Sequence, residues 1–146
     1  QAENVMLGYM KADKPDVLQK AENWYDTGDI VKIDEDGFVS ICGRAKRFAK
    51  IGGEMVSLTS VEQALEKIYP NAVLGVLSIA DDKKGEKLVL IISENKANLP
   101  EIQRGFKTQG ISELWCPKEV VYMAEPPLLG SGKFDYLTAQ KMLDER

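Results

Sequence analysis

The sequence contains no histidine. Without an imidazole, the chain itself cannot supply a Ser-His-Asp triad, a Cys-His nucleophile pair, an imidazole general base or a histidine ligand for zinc. Cysteine is scarce as well: Cys42 and Cys116 stand far apart and form no C-x-x-C pair, which argues against a structural zinc and a thioredoxin-type motif. We therefore expect two reduced thiols in a cytosolic protein and no metal site, with any catalysis left to lysine, arginine, carboxylates or backbone amides.

Long apolar runs are also missing. No stretch approaches the ~20 apolar residues that span a bilayer, and residues 1–4 lack the basic start and apolar core of a signal peptide. Lysine and arginine number 19 against 23 acidic residues, and the resulting formal charge of −4 argues against bulk nucleic-acid binding. Without a membrane span or a signal peptide we expect a soluble, cytoplasmic chain. Because the first residue is not Met and the pattern up to Glu22 is weak, we also expect a piece of a longer protein.

Alternating residues indicate a β-hairpin in the first third of the chain. Residues 31–33 and 38–41 alternate apolar and polar around an Asp-Gly turn signal. Residues 43–50 then carry four cations and no acid, and two glycines follow at 52 and 53. This abrupt change of composition predicts a domain boundary.

Helical and strand periodicities alternate along the rest of the chain. Thr59 and Glu62 have the spacing of a capping box at the start of one helix, and Asn98 and Glu101 have it at the start of another. The predicted elements are a helix over about 60–69, strands over 73–80 and 87–93 joined as a second hairpin, a helix ending near Gly110, a strand over 118–123, an irregular segment over 126–132 and a helix over about 135–144. Because strands and helices do not alternate strictly, the predicted fold class is α+β.

Residues 24–29 form the first candidate site and read Trp-Tyr-Asp-Thr-Gly-Asp. A carboxylate accepts hydrogen bonds from both hydroxyls of a ribose, so Asp29 is a candidate nucleotide-binding residue. The alternative is a plain turn in which aspartate and glycine serve only the backbone geometry.

The cationic stretch forms the second candidate site. Arg44, Lys46, Arg47 and Lys50 lead into the two glycines at 52 and 53, where bare backbone can approach a ligand closely. Cations beside exposed amides suit a phosphate, whereas the simpler interpretation is a solvated, charged face.

A glycine-rich loop near the end of the chain forms the third candidate site. Residues 130–133 read Gly-Ser-Gly-Lys, but a P-loop would need Gly at Pro127 and Ser or Thr at Phe134, so the P-loop interpretation fails. Lys133 remains as a lone cation on a mobile loop, able to place its charge on a developing anion. The alternative is an ordinary exposed lysine.

These three motifs, in this order and spacing, resemble the C-terminal end of the adenylate-forming superfamily, which includes acyl-CoA synthetases, luciferases and peptide-synthetase adenylation domains. The resemblance covers about residues 22–146. It implies that residues 1–43 are the tail of a large N-terminal adenylation domain, ending in the β-hairpin. Residues 44–146 would then be a small, mixed α+β lid that closes over the nucleotide.

The same resemblance implies a role for each motif. The Thr-Gly-Asp carboxylate binds the adenosine ribose in this family, and that role falls on Asp29. The Gly-Arg-x-[Asp/Lys] motif makes Arg44 a nucleotide contact and Lys46 the hinge residue. The Pro-x-x-x-x-Gly-Lys motif makes Lys133 the catalytic lysine of adenylation.

Two runs, residues 43–58 and 127–133, resemble one branch of the family, the bifunctional fatty acid:acyl carrier protein ligases. Ala49 and residues 53–56 depart from the broader acyl-CoA synthetase pattern. The branch implies ATP and Mg²⁺ bound mainly by the N-terminal part, a long-chain fatty acid, and the phosphopantetheine of acyl carrier protein as acceptor. It also implies acyl transfer to a lysophospholipid by another domain, at the cytoplasmic face of a bacterial inner membrane.

The resemblance further places Lys50, Gly52, Gly53 and Glu54 on the thioester face, beside the pantetheine path, and suggests that Arg47 docks the carrier protein. Two alternatives stay open: the C-terminal domain of an acyl-CoA synthetase, and a non-catalytic module that binds a carrier protein or a nucleotide. The superfamily's phosphate loop is absent from this sequence, so we expect the chain alone to have no adenylation activity. The length of the full gene would separate the enzyme from the module.

Overall fold

The computed structural model describes residues 6–20 and 25–145. The chain divides into two compact units between Cys42 and Gly43. That residues 1–43 and 44–146 belong to different domains of a larger enzyme stays a prediction. Trp24, the first residue of the candidate ribose motif, lies outside the described residues.

Two β-hairpins make up the described part of the first unit. The strand β1 (Gly8–Lys11) pairs antiparallel with β2 (Lys14–Lys20), and β3 (Asp29–Ile33) pairs with β4 (Val39–Arg44), which ends just past the boundary. The second of these confirms the predicted hairpin. The first was not predicted because its apolar pattern is weak, and every residue of β2 is exposed.

The second unit is built on a five-stranded sheet. Its strands are β5 (Phe48–Ile51), β6 (Glu54–Ser57), β7 (Leu74–Asp81), β8 (Gly85–Ile92) and β9 (Glu119–Tyr122). The order along the sheet is β6-β5-β8-β7, and β9 also pairs with β8. This last pair is parallel, whereas the other neighbours are antiparallel. Three strands therefore bond to β8, which lies at the centre of the sheet.

Both faces of β8 are covered. The helices of the unit are α1 (Leu58–Glu66), α2 (Leu99–Thr108) and α3 (Tyr136–Asp144). Leu88 and Leu90 pack with apolar side chains of α1 and α2, whereas Val89 and Ile91 pack on the opposite face with Ala139 of α3. A strand buried on two sides needs the continuous apolar run that this one has. The predicted α+β class and the predicted hairpin of β7 and β8 are confirmed.

The two predicted capping boxes have different outcomes. Asn98 caps α2, and its side chain accepts a hydrogen bond from the Glu101 backbone N–H at 3.0 Å, as predicted. The predicted capping box of Thr59 and Glu62 is wrong, because α1 begins two residues earlier, with Ser57 as its N-cap. The carboxylate of Glu62 points into the unit instead and is buried.

Cys42 is exposed and Cys116 is buried, and both are free thiols. Burial raises the pKa of the Cys116 thiol. Among the helices of the described residues, none combines the length and the apolar character that crossing a membrane requires. The same residues contain no group of three or more histidine, cysteine or acidic side chains arranged to hold a metal ion.

Candidate functional site

The loop that carries Lys133 is closed by two backbone hydrogen bonds. Gly132 donates to the Leu129 carbonyl at 2.8 Å, and Leu129 donates to the Lys133 carbonyl at 2.8 Å. Gly132 has φ +79°, in the left-handed region that favours glycine. The Lys133 side chain is exposed, and within residues 6–20 and 25–145 its ammonium has no hydrogen bond or ion pair. A tightly turned loop thus presents a cation that no other described residue pairs with.

The residues after Lys133 fasten this loop to the sheet. Phe134 is only 8% exposed, and it forms an isolated β-bridge with Leu128 across the loop. Its ring fills the space beside Gly75 on β7, where an added Cβ would lie 2.5 Å from the ring. Asp135 donates its backbone N–H to the Pro127 carbonyl at 2.9 Å. The loop, expected to be mobile, is therefore held at both of its ends.

Arg47 points inward rather than to solvent. Its guanidinium lies 2.6 Å from the Glu62 carboxylate, donates to the Val76 carbonyl at 3.0 Å, and sits 3.8 Å from the centroid of the Tyr136 ring. Its side chain is 16% exposed. A docking role needs an outward charge, so this placement argues against the carrier-protein role suggested for Arg47. It gives the residue an internal contact network instead.

Glu62 is the centre of this network. Besides Arg47, its carboxylate accepts hydrogen bonds from the Val76 backbone N–H at 2.7 Å and from the Tyr136 hydroxyl at 3.0 and 3.1 Å. A buried carboxylate is costly unless it is paired and hydrogen-bonded, and here it is both. Burial and the charge of Glu62 raise the pKa of Tyr136 to about 12, with Arg47 opposing them.

We call Arg47, Glu62 and Tyr136 the Glu62 cluster. Sequence reasoning missed two of its members. The available signal was the position of Glu62 between Val61 and Ala64 on the apolar face of a helix, where an acid must find a partner.

The predicted hinge lies in a short 3-10 helix, Ala45–Arg47, directly after β4. Lys46 is exposed there, and so is Arg44 at the end of the strand. Gly43 has φ +156°, and a Cβ added to it would lie 3.2 Å from the Phe48 ring. The structure thus places a glycine with a restricted conformation at the unit boundary. The hinge role of Lys46 and the nucleotide contact of Arg44 stay predictions.

The predicted thioester face is the hairpin of β5 and β6. Gly52 and Gly53 form its turn with φ of +58° and +90°, which suits the two-residue turn that needs positive φ twice. Gly52 donates to the Lys84 carbonyl at 3.0 Å, and the backbone N–H of Lys50 donates to the Glu86 carboxylate. The side chains of Lys50 and Glu54 are exposed, as are both glycines. The glycines serve the turn, and the pantetheine role of these residues stays a prediction.

The Thr-Gly-Asp corner belongs to the first unit. Gly28 donates to the Asp26 carboxylate at 2.8 Å, and the Asp29 backbone N–H donates to the Thr27 hydroxyl at 3.2 Å. The aspartate and threonine before Asp29 therefore shape the turn, as the simpler interpretation requires. Asp29 itself opens β3 and is half-buried. Its predicted contact with the ribose stays a prediction.

Comparison with known proteins finds relatives that are named as ligases. The chain is 29% identical over 98% of its length to the medium-chain fatty-acid–CoA ligase of Escherichia coli (strain K12), of which the match covers 26%. It superimposes on the Mycobacterium tuberculosis fatty acyl CoA synthetase with a TM-score of 0.65 and 26% identity, covering 86% of this chain and 25% of that one.

A further structural neighbour supports the fold alone. The structure of ATP-bound MatB from Rhodopseudomonas palustris gives a TM-score of 0.65 at 24% identity, over 82% of this chain and 24% of that one. No protein-family model matches the chain. The chain spans about a quarter of the length of the curated relatives it matches.

The relatives are named as medium-chain fatty-acid–CoA and acyl-CoA ligases, and the fold matches the C-terminal part of the fatty acyl CoA synthetase structure. The predicted superfamily resemblance is therefore confirmed at this level. The narrower prediction of a bifunctional acyl carrier protein ligase is not what they support. They favour the alternative, an acyl-CoA ligase C-terminal part.

Proposed function

We propose that this chain is the C-terminal part of an ATP-dependent, AMP-forming carboxylate ligase. In the first half-reaction the carboxylate oxygen attacks the α-phosphorus of ATP, giving acyl-AMP and pyrophosphate. In the second, a thiol attacks the acyl carbon and AMP leaves. The support is similarity along 98% of the chain to a fatty-acid–CoA ligase, together with the shared fold.

The observation that carries the proposal is the exposed ammonium of Lys133, unpartnered within the part of the chain that the structure describes, on a loop fixed at both ends. Adenylation brings an anionic carboxylate against a polyphosphate, so a preorganised cation stabilises the transition state more than the separated reactants. A lysine already neutralised by a carboxylate would contribute less. Lys133 is free to do this.

The other motifs receive roles consistent with two successive half-reactions. Asp29 would accept hydrogen bonds from the ribose and Arg44 would contact the nucleotide, while ATP and Mg²⁺ would be held mainly by parts of the enzyme outside this chain. Lys46 would be the pivot that withdraws Lys133 after adenylation. The hairpin around Gly52 would then face the incoming pantetheine arm, since the turn presents bare backbone there.

For the substrates, we propose a fatty acid and the thiol of coenzyme A, because the relatives are named as fatty-acid and acyl-CoA ligases. The second candidate acceptor is the phosphopantetheine of acyl carrier protein, with later transfer to a lysophospholipid by another domain of a cytoplasmic, membrane-associated enzyme. Residues 43–58 favour it through their resemblance to that branch. Comparing coenzyme A with acyl carrier protein as acceptor in the complete enzyme decides between the two.

The test of the proposed function is Lys133→Ala in the complete enzyme. Acyl-AMP formation, followed as fatty-acid-dependent exchange of pyrophosphate into ATP, should fall by about 10²–10³, the usual cost of one preorganised electrostatic contact. Transfer from pre-formed acyl-AMP to the thiol should change far less. Lys96→Ala, which removes another exposed loop lysine, is the matched control and should leave both rates unchanged.

Full activity of Lys133→Ala in both half-reactions would return Lys133 to an ordinary loop lysine. The non-catalytic module is tested separately with the isolated chain. We expect the isolated chain to show no exchange of pyrophosphate into ATP above background. A rate that survives repurification would contradict the proposal that this chain is only the C-terminal part of the enzyme.

A further inference from the structure

The Glu62 cluster connects three elements that are distant in sequence. Arg47 comes from the 3-10 helix after β4, Glu62 from α1, and Tyr136 from the first turn of α3. The carboxylate bonds to both other members, and the Arg47 guanidinium also lies against the Tyr136 ring. All three contacts close one triangle, so no member can shift without disturbing the other two.

Each end of the cluster is next to a residue of the proposed mechanism. Arg47 directly follows Lys46, the proposed pivot. Tyr136 comes three residues after Lys133, and its ring packs against Phe134 with 4.9 Å between centroids and an angle of 46° between the ring planes. Because Phe134 is wedged beside Gly75 and Asp135 caps α3, the backbone from Lys133 to Tyr136 forms one fixed piece. The cluster therefore ties the base of Lys133 to the segment that follows the pivot.

Stability alone does not require this arrangement. Replacing a buried ion pair with apolar side chains of similar volume is often neutral or stabilising. An apolar contact, however, is not directional, whereas a carboxylate that accepts from three donors fixes the angle at which each donor approaches. The cluster therefore fixes the orientation of the three elements that carry its members.

We propose that Glu62, Arg47 and Tyr136 are positioning residues for Lys133, which orient its loop relative to the segment after Lys46. The proposal rests on the proposed function of Lys133 in adenylation. The cluster touches no reacting atom and acts only through the placement of the lysine. Its loss should therefore slow the half-reaction that uses Lys133 and spare the other.

Tyr136→Phe in the complete enzyme is the appropriate variant. It retains the ring against Arg47 and Phe134 and removes only the hydroxyl that bonds to Glu62, so the fold is expected to survive. A small misplacement of a catalytic group is expensive, and we expect kcat of acyl-AMP formation to fall about 10-fold with little change in the KM values for ATP and fatty acid. Transfer from pre-formed acyl-AMP should stay within about twofold of the parent rate.

Tyr122→Phe is the matched control, because it removes the hydroxyl of an exposed tyrosine on β9. All assays belong at a temperature at which both variants are fully folded by circular dichroism. A merely structural role of Tyr136 would lower the unfolding temperature without separating the two half-reactions, and that result would overturn the proposal.

A double-mutant cycle with Lys133→Ala completes the test. If Tyr136 acts through Lys133, Tyr136→Phe should have no further effect on adenylation in the Lys133→Ala background. An equal loss in both backgrounds would show that the hydroxyl acts independently of the lysine, and no loss in either would also overturn the proposal. If Lys133→Ala alone had no effect on adenylation, the proposed function of Lys133 would be wrong. The single variant in the cycle shows this independently of the result for Tyr136→Phe.

Discussion

Arg47 and Lys133 are two cations connected to the same aromatic pair, Phe134 and Tyr136, yet their surroundings are opposite. Arg47 is held by Glu62, by a backbone carbonyl and by the face of Tyr136. Lys133, one residue before Phe134, has an exposed ammonium with no partner in the described part of the chain. Both looked like functional cations in the sequence. The contacts of Arg47 hold it inside the unit, whereas the exposed ammonium of Lys133 is accessible to a ligand.

The largest expected difference between the two cations is in stability. Arg47→Ala leaves the buried Glu62 carboxylate without its counter-ion. Removing one partner of a buried ion pair typically lowers the free energy of unfolding by about 3–5 kcal/mol. Lys133→Ala removes an exposed side chain that has no partner among residues 6–20 and 25–145, and it should change the free energy of unfolding by less than about 0.5 kcal/mol. Urea unfolding of the chain measures both values. Comparable losses of unfolding free energy in the two variants would contradict the structural difference between Arg47 and Lys133.

The packing of Phe134 beside Gly75 offers a second test, because it can be disturbed without changing either cation. Gly75→Ala would place a Cβ 2.5 Å from the Phe134 ring, and overpacking of this kind costs about 1–3 kcal/mol. We expect a lower unfolding midpoint together with slower adenylation, since the base of the Lys133 loop would shift.

Gly105→Ala is the control for this change. Its Cβ would lie 2.4 Å from the Cδ1 and 2.8 Å from the Cγ1 of Ile68, so that side chain must shift, but alanine favours a helix over glycine by about 1 kcal/mol. The net loss should be smaller than at Gly75, and adenylation should be unaffected. Slower adenylation from Gly105→Ala would mean that any disturbance of the unit reaches Lys133.

The smallest expected effect is a dependence of stability on alkaline pH. The pKa of Tyr136 is raised to about 12 in the folded chain from an ordinary value of 10.0, so the unfolded chain loses this proton first. The stabilising contribution is complete below pH 10 and is lost as the pH rises towards 12. Tyr69, beside Glu101, has its pKa raised to about 12 as well and adds a similar dependence.

Tyr136→Phe should therefore remove part of this alkaline dependence. The measurement is the free energy of unfolding between pH 9 and 12. An unchanged pH dependence in Tyr136→Phe would mean that the hydroxyl is not held against the carboxylate in solution, which would weaken the contrast between Arg47 and Lys133.

Local signals account for what could be predicted. Asn98 caps α2 through a hydrogen bond to a residue three positions later, and the hairpin of β7 and β8 pairs two neighbouring strands. A short stretch of sequence is therefore enough to predict both features. The loop of Lys133 was likewise recognised from its glycines. Where the local signal is strong, the prediction and the structure agree.

Contacts between distant residues account for the errors. Ser57 and Thr59 are both suitable caps by residue type, and Glu62 is buried against Arg47 and Val76, partners that no local pattern identifies. The inward turn of Arg47 was missed for the same reason. Whether a cation points in or out depends on an acid 15 residues away in sequence.

The parallel pairing of β9 with β8 has a consequence for the order of folding. The hairpin of β7 and β8 closes a short loop, whereas β9 pairs with β8 only after α2 and the chain beyond it have crossed the sheet. Phe134 comes later still, and its place beside Gly75 exists only once β7 is docked. We therefore expect the Lys133 loop to acquire its native form in the last kinetic phase, so that refolding enzyme regains its secondary structure before it regains adenylation.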